Sequence, residues 1–246
     1  MATFIHSKSA RLYLDGYDLS GDTTALEGLP GERKMQEVST LADLGTKHLA
    51  GLDDVKVTAE MIFDSDTAGE DVIIAAMRTG TANKVLTFWP RGAVAGYFGY
   101  GGNVILRAAP VPSKINDVVR VRPEFLLQNA AQKLTSIRDL AAVTATTSSA
   151  SIDGAASSAA GGSWYFHITV ISASGGNAQW NVKLEDSAND SSFATVGTET
   201  YNVTAASGVQ GARYDFTGTL RRYVRVTVTL DASSGGLTFQ ASFIRN

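Results

Sequence analysis

Alternation of hydrophobic and polar residues runs through most of the chain and predicts β-strands. Residues 55–63 show the clearest case, because every second side chain is apolar, as in a strand with one buried face (Val55, Val57, Ala59, Met61 and Phe63). The same pattern in residues 11–14 predicts a strand that ends at the Gly16 turn. Further strands are predicted over 35–40, 85–89, 97–108, 118–127, 164–172, 178–187, 212–218, 221–231 and 237–246.

One segment departs from this period and predicts a helix over about 67–79. Ser65, Asp66 and Thr67 are candidate N-terminal caps, and Gly80 is a typical stop. The apolar positions recur at helical spacing, so one stripe is expected to pack against a sheet (Val72, Ile73, Ala76 and Met77).

A Ser/Ala/Thr/Gly tract at 140–164 interrupts the strands and is typical of a linker, with room for a weak edge strand. We therefore predict a boundary near residue 145. Residues 1–145 would form a β-sandwich or barrel-like domain with one flanking helix. Residues 146–246 would contain the linker and a smaller all-β sandwich, so the fold class is mainly β.

Composition limits the chemistry. The 246 residues carry a net charge of −3 with no block of like charges, so a large nucleic-acid footprint is not expected. The absence of cysteine excludes disulfides and thiolate chemistry. The longest apolar run, residues 72–77, is far shorter than a membrane span, and the first residues do not resemble a signal peptide.

The glycine-rich stretch Gly96–Gly102 has the pattern G-x-x-G-x-G-G, which matches neither nucleotide-binding fingerprint. A phosphate cradle needs a helix N-terminus, but another strand pattern follows. We interpret these glycines as mechanical, allowing bends or close backbone approach.

No constellation predicts catalysis, a metal site or a cofactor. His6, His48 and His167 lie in separate segments without metal-ligand spacing, and His167 is expected to be structural. The acidic loop 185–190 leaves calcium open beside a plain polar hairpin. The basic cluster 221–225 is expected to decorate a strand, so the chain is not expected to be an enzyme.

The order of elements in residues 52–128 resembles the tail tube (major tail) proteins of long-tailed, non-contractile bacteriophages. The segments that carry it are GLDDVKVTAEMIFD, TAGEDVIIAAMRTG, KVLTFWPRG, GYFGYGGNVILRAAPVP and INDVVRVRPEFLLQN. The resemblance covers about residues 5–130 and lies in pattern and order. A glycine that many relatives have soon after Phe125 is missing.

The resemblance implies a virion structural protein that assembles in the host cytoplasm into stacked rings, hexameric in that family. The rings would form the tail tube, a conduit for DNA that crosses the lumen without specific binding. Tape-measure and tail-terminator or tip proteins would be the other partners. Polar segment 22–54 carries scattered apolar residues suited to an assembly arm, and the residues expected to act in assembly are Met35, Leu41, Leu44 and Leu49 together with His48.

The alternative is a virion decoration or adhesion protein that binds host-surface glycans through the C-terminal sandwich. Aromatic platforms would then carry the binding, with Trp164 and Trp180 as candidates.

Overall fold

Strands make up most of the regular structure, so the predicted mainly-β fold class is confirmed. The computed structural model describes residues 9–29, 33–37, 48–53, 55–63, 70–80, 83–111, 118–171, 179–204, 209–230 and 236–246. The elements in chain order are β1 (Arg11–Leu14), β2 (Tyr17–Asp18), β3 (Thr23–Glu27), β4 (Arg33–Glu37), β5 (His48–Asp53), β6 (Lys56–Ile62), α1 (Glu70–Thr79), β7 (Lys84–Trp89), β8 (Phe98–Ala108), β9 (Arg120–Val121), β10 (Glu124–Leu127), β11 (Gln132–Val143), β12 (Thr147–Ser148), β13 (Ile152–Asp153), β14 (Gly162–Ile171), β15 (Gln179–Ser187), β16 (Ala194–Thr204), β17 (Gln210–Phe216), β18 (Tyr223–Leu230) and β19 (Leu237–Arg245).

The chain divides into two compact units. The first unit comprises Met1–Gly21, Lys84–Gly101 and Lys133–Asn246, and the second comprises Asp22–Asn83 and Gly102–Gln132. The predicted boundary near residue 145 does not coincide with the edges of these units. Segments distant in sequence share the first unit because strands far apart in the chain pair with each other, as β1 does with β7 and β11 with β19.

The first unit contains a β-sandwich. One of its sheets has the order β17-β14-β19-β11, and the other has the order β12-β18-β15-β16, with β13 paired to β18. Large apolar side chains of both sheets form one buried core, which includes Trp164, Phe166, Trp180, Val226 and Phe239. Burying this apolar area is the main stabilisation of the sandwich.

The opposite face of β14 is covered as well. Successive side chains of a strand point to opposite faces, so Tyr165 and His167 lie opposite Trp164 and Phe166. Tyr165 packs with Tyr13 of β1 and Trp89 of β7 in a second, smaller apolar cluster. The β1–β7 pair therefore forms a further layer on the sandwich.

The tract 140–164, expected to be a linker, lies along the sandwich. Strand β11 runs to Val143, and β12 and β13 pair with β18 through Thr147↔Val228 and Ile152↔Val224. The small and polar side chains of this tract suit short edge strands. Strands β12 and β13 therefore correspond to the weak edge strand for which the sequence left room.

The second unit has a sheet of order β8-β10-β6-β3, with β9 also paired to β6. The predicted face of β6 is buried from Val55 to Met61, whereas Phe63 beyond the strand is 37% exposed. Helix α1 buries Ile73, Ile74 and Met77, while Ala76 of the predicted stripe is exposed. Its predicted first residues, 67–69, lie outside the described residues.

The segment 118–127, predicted as one strand, forms two. Strand β9 ends at Val121 and β10 begins at Glu124, with Arg122 and Pro123 between them. Proline has no N–H to donate to a ladder, and the N–H of Arg122 donates instead to the carbonyl of Pro110 at 3.0 Å.

Candidate functional site

The predicted assembly arm includes a separate two-stranded ribbon in the second unit. Strands β4 and β5 pair antiparallel in the register Met35↔Ala50, Gln36↔Leu49 and Glu37↔His48. Within the described residues these two strands pair only with each other. An isolated ribbon is marginally stable in water, so it needs a surface to lie on.

The five predicted arm residues are only partly located. Met35 lies in β4, and His48 and Leu49 lie at the start of β5, so the ribbon brings these three backbone positions together. Leu41 and Leu44 lie outside the described residues. The assignment of all five to assembly stays a prediction.

Sequence reasoning missed an apolar surface in the second unit. Its members, here called the apolar surface, are exposed although they are large and hydrophobic: Phe63 37%, Val111 46% and Val119 41%. The register Met61↔Val121 and Ile62↔Arg120 puts Phe63 and Val119 on one face of the β6–β9 pair, whereas the exposed Ile62 and Val118 belong to the opposite face. The N–H of Phe63 donates to the carbonyl of Val119 at 2.9 Å, which joins the end of β6 to the segment before β9. Exposed apolar clusters on a folded unit mark interaction sites.

A shallow groove opens within this surface. It is lined by Phe63, Ile74, Ala75, Arg78, Val111 and Val121, so α1 forms one wall. Arg78 in the last turn of α1 donates to the carbonyl of Ala109 at 2.6 Å and ties the helix to the strand end. The sequence pattern places Val119 on the apolar face of the strand predicted over 118–127, and so gives no sign that its side chain is exposed.

His167 is buried in a hydrogen-bond network of the first unit, as its structural interpretation predicted. Its Nδ1 accepts from the N–H of Gly16 at 3.2 Å, and its Nε2 lies 3.0 Å from the hydroxyl of Thr87. The indole N–H of Trp89 donates to the same hydroxyl at 3.2 Å. A neutral imidazole has one N–H, so Nε2 carries the proton and donates to Thr87.

Burial lowers the pKa of His167 from 6.5 to about 3. A proton on Nδ1 would face the N–H of Gly16 and leave both groups without an acceptor. The ring is therefore neutral at ordinary pH and fastens the turn between β1 and β2 to β14. It is not placed for acid–base chemistry, because no solvent reaches it.

Every member of the basic cluster has an acidic partner. Arg221 binds Asp186 at 2.7 Å, Arg222 binds Asp153 at 2.6 Å, and Arg225 binds Glu185 at 2.8 Å. Arg225 lies on β18, as predicted for the cluster, whereas Arg221 and Arg222 precede the strand.

In the acidic loop 185–190, for which the sequence left calcium binding as an alternative, polar side chains make hydrogen bonds within the protein. The side chain of Asn189 accepts from the N–H groups of Ser191 and Ser192, and Asp186 is committed to Arg221. Among the described residues, no group of three or more His, Cys, Asp or Glu side chains is placed to hold a metal ion.

The glycines of β8 act mechanically, as predicted. A Cβ on Gly99 would lie 2.6 Å from the carbonyl oxygen of Phe88, and one on Gly101 would lie 2.7 Å from that of Leu86. Both contacts are too short for any real Cβ, so β8 needs glycine to lie against β7.

The prediction that Trp164 and Trp180 form aromatic platforms for glycan binding is wrong. Trp164 is 1% exposed and Trp180 is 0% exposed, because both side chains fill the sandwich core. Neither ring can stack on a sugar without opening that core.

Comparisons with known proteins add little. No protein-family model matches the chain, and no curated protein gives a significant match. Among solved structures, the chain is similar to the Dit protein (gp 19.1) of phage SPP1, described as a paradigm of the hub adsorption apparatus in phages that infect Gram-positive hosts. The identity is 12%, the match covers 96% of this chain and 99% of that one, and the TM-score is 0.38.

A second similar structure is the baseplate of phage p2 in its activated conformation with Sr. Its identity is 8%, with 95% of this chain and 97% of that one covered, and its TM-score is 0.35. At TM-scores of this size, the matches establish neither a shared fold nor a shared function. Within the described residues, no helix is long and apolar enough to cross a membrane.

Proposed function

We propose that the chain is a structural subunit of a bacteriophage tail that associates with copies of itself, and that it forms the tail tube. The observation that carries the proposal is the apolar surface of the second unit. Three large hydrophobic side chains there, Phe63, Val111 and Val119, are more than a third exposed. A monomer gains nothing from such exposure, whereas a subunit that meets a neighbour buries it.

Two further features support this function. The sequence resemblance to tail tube proteins covers the segments that build the second unit, including β6, α1 and β10. The same unit contains the β4–β5 ribbon, which pairs with no other strand in the described part of the chain. Rings that stack head to tail use heterologous contacts, in which a ribbon of one subunit lies on a neighbour.

In the tube, the proposed partners are further copies of the chain in stacked, hexameric rings, with tape-measure and terminator or tip proteins at the ends. DNA passes through the lumen without specific binding, which a net charge of −3 favours. The adhesion alternative loses its proposed contacts, since Trp164 and Trp180 are buried.

The test compares two valine variants of the purified full chain over a concentration series, by negative-stain electron microscopy and light scattering. Val119→Asp places a charge in the apolar surface. Val209→Asp, at a similarly exposed valine of the first unit (38%), is the matched control. The wild type and Val209→Asp are expected to form rings or tubes, whereas Val119→Asp stays monomeric with unchanged circular dichroism.

Equal assembly of the two variants would contradict the role of the apolar surface. A wild type that is monomeric at every concentration would contradict self-association itself.

The ribbon is tested separately by deleting residues 36–50. We expect the deletion to abolish ring and tube formation while thermal unfolding of the chain stays cooperative. A deleted chain that still forms normal tubes shows that the ribbon is not an assembly arm.

A further inference from the structure

A polar cleft of about 450 Å³ lies in the first unit. Strand β1, the loop between β7 and β8, and β11 form its walls. Its lining is dominated by charged and hydrogen-bonding side chains: Ser9, Arg11, Asp18, Arg91, Tyr97 and Asp139. The volume is within the range of small-molecule sites, about 300–1,000 Å³.

The loop that carries Arg91 and Tyr97 is held in one conformation by Ser136 of β11. The N–H of Gly96 donates to the carbonyl of Ser136 at 2.8 Å, and the N–H of Ser136 donates to the carbonyl of Tyr97 at 2.9 Å. The hydroxyl of Ser136 donates to the carbonyl of Ala93 at 2.6 Å. Gly92 and Gly96 supply the positive φ angles, +91° and +84°, that the loop needs.

This loop fixes the position of the two side chains. The guanidinium of Arg91 lies 4.7 Å from the centre of the Tyr97 ring, a cation–π contact that restricts a long side chain. A site held in place before binding loses less conformational entropy when a ligand arrives.

The charged groups of the cleft are available to a ligand. In the described part of the chain, no ion pair involves Arg11, Arg91, Asp18 or Asp139. Asp139 accepts from the N–H of Leu140, its neighbour in sequence, and Asp18 accepts from Ser20. Each of these carboxylates retains lone pairs for further hydrogen bonds.

The charges also limit what the cleft can bind. Two guanidinium groups and two carboxylates sum to zero, so the lining offers no net charge that would select an anion or a cation. A hydroxyl group is different, because it accepts from a guanidinium and donates to a carboxylate at the same time. Hydrogen bonds of this kind, with one charged member, are the stronger ones.

We propose that this cleft binds a neutral polyhydroxylated ligand, namely a short oligosaccharide. Arg91 of the loop between β7 and β8 and Asp139 of β11 hydrogen-bond to hydroxyl groups of the ligand, and Arg11 and Asp18 extend the site along β1 and β2. The proposal is independent of self-association, because none of these residues belongs to the apolar surface.

The experiment exposes the full chain to a microarray of neutral hexose and N-acetylhexosamine oligosaccharides, followed by titration calorimetry with the best-retained sugar. The variants are Arg91→Ala and Asp139→Asn, both at exposed positions that leave the fold intact. Arg122→Ala, at an exposed arginine outside the cleft, is the matched control. Circular dichroism verifies that all four proteins are folded.

We expect the wild type and Arg122→Ala to bind the same sugar equally. Arg91→Ala and Asp139→Asn should each bind it with an affinity at least about tenfold lower, since each loses a charge-assisted hydrogen bond. A wild type that retains no sugar overturns the proposal. Sugar binding that both cleft variants retain overturns it as well.

Discussion

His167 connects three elements of the first unit through one imidazole ring. Its Nδ1 accepts from Gly16 in the turn after β1, its Nε2 donates to Thr87 in β7, and the residue itself lies in β14. Asp15 of the same turn accepts from the N–H of Gly211 at 3.1 Å and pairs with Lys84 at 2.5 Å. The turn is therefore joined to β14 by a buried hydrogen bond, and to β17 and β7 by partly buried ones.

This network predicts a pH dependence of stability. Above pH 6.5 the His167 ring is neutral in both the folded and the unfolded chain, so it adds no pH dependence to the free energy of unfolding. Below it, the unfolded chain binds a proton that the folded chain, with a His167 pKa of about 3, does not. Stability is thus lost as pH falls from 6.5 towards 3, by about 2 kcal/mol at about pH 5.

Urea unfolding of the wild type and His167→Gln at several pH values measures this loss. Glutamine has an acceptor and a donor but does not titrate, so the variant should lack this part of the acid destabilisation. If the free energy of unfolding fell equally with pH in both proteins, the prediction that His167 is buried and neutral would be contradicted.

Gly16 predicts a second residue-scale effect. Its φ is +92°, and a Cβ there would lie 2.5 Å from the backbone N of Gln210. Gly218 has a φ of +98° but no heavy atom within 4 Å of such a Cβ. Gly16→Ala should cost about 2–5 kcal/mol and Gly218→Ala only about 1–2 kcal/mol, by chemical denaturation. Equal costs would show that the turn moves away from β17 freely.

At the scale of elements, carboxylate–arginine pairs of unequal burial join β15 and β13 to the residues just before β18. Asp186 of β15 has a side chain only 4% exposed and accepts from the N–H of Arg221 at 2.7 Å and from its Nε at 2.8 Å. Asp153 of β13 makes a similar two-point contact with Arg222, but both side chains are 45% exposed. Solvent therefore screens the Asp153–Arg222 pair more strongly than the Asp186–Arg221 pair.

Replacing each aspartate by asparagine separates these cases. Asp186→Asn should lower the free energy of unfolding by about 1–2 kcal/mol, because the N–H and guanidinium of Arg221 lose a buried, charged acceptor, although the Arg221 side chain itself is 38% exposed. Asp153→Asn should leave the urea midpoint unchanged, although its arginine partner lowers the Asp153 pKa to about 2. A large effect of Asp153→Asn, or none of Asp186→Asn, would contradict this order.

At the scale of the whole molecule, the first unit is assembled from three separate stretches of chain. Strand β11 precedes the predicted boundary at 145, yet it pairs with β19 from Thr135↔Phe243 to Val143↔Leu237. It also places Ile137 and Val143 in the sandwich core. A cut at the boundary would remove this strand from its sheet.

Two fragments test this arrangement. Residues 132–246 retain β11, and residues 146–246 lack it, while both leave the β1–β7 layer out. The longer fragment should unfold at a clearly higher temperature in circular dichroism, since it keeps both the ladder and the two apolar side chains. Equal midpoints would show that the sandwich of residues 146–246 is independent, as composition predicted.

Much of the local structure was readable from the sequence. The period-two pattern identified the buried face of β6 from Val55 to Met61 and that of β18 from Val224 to Val228. The structural role of His167 was also predicted, but its partners Gly16 and Thr87 were not, because they lie 151 and 80 residues away. The cleft around Arg91 and the apolar surface near Phe63 escaped prediction for the same reason.

The sequence by itself determined the mainly-β class, the helix that ends before Gly80 and the faces of single strands, because periodicity, capping and turn chemistry act between near neighbours. Only the tertiary structure decided that β11 and the tract after it belong to the sandwich, and that Trp164 and Trp180 are core rather than surface. Strand pairing is made by backbone hydrogen bonds, and every residue except proline offers the same N–H and carbonyl groups. The choice of partner therefore depends on which apolar faces the whole chain can bury together.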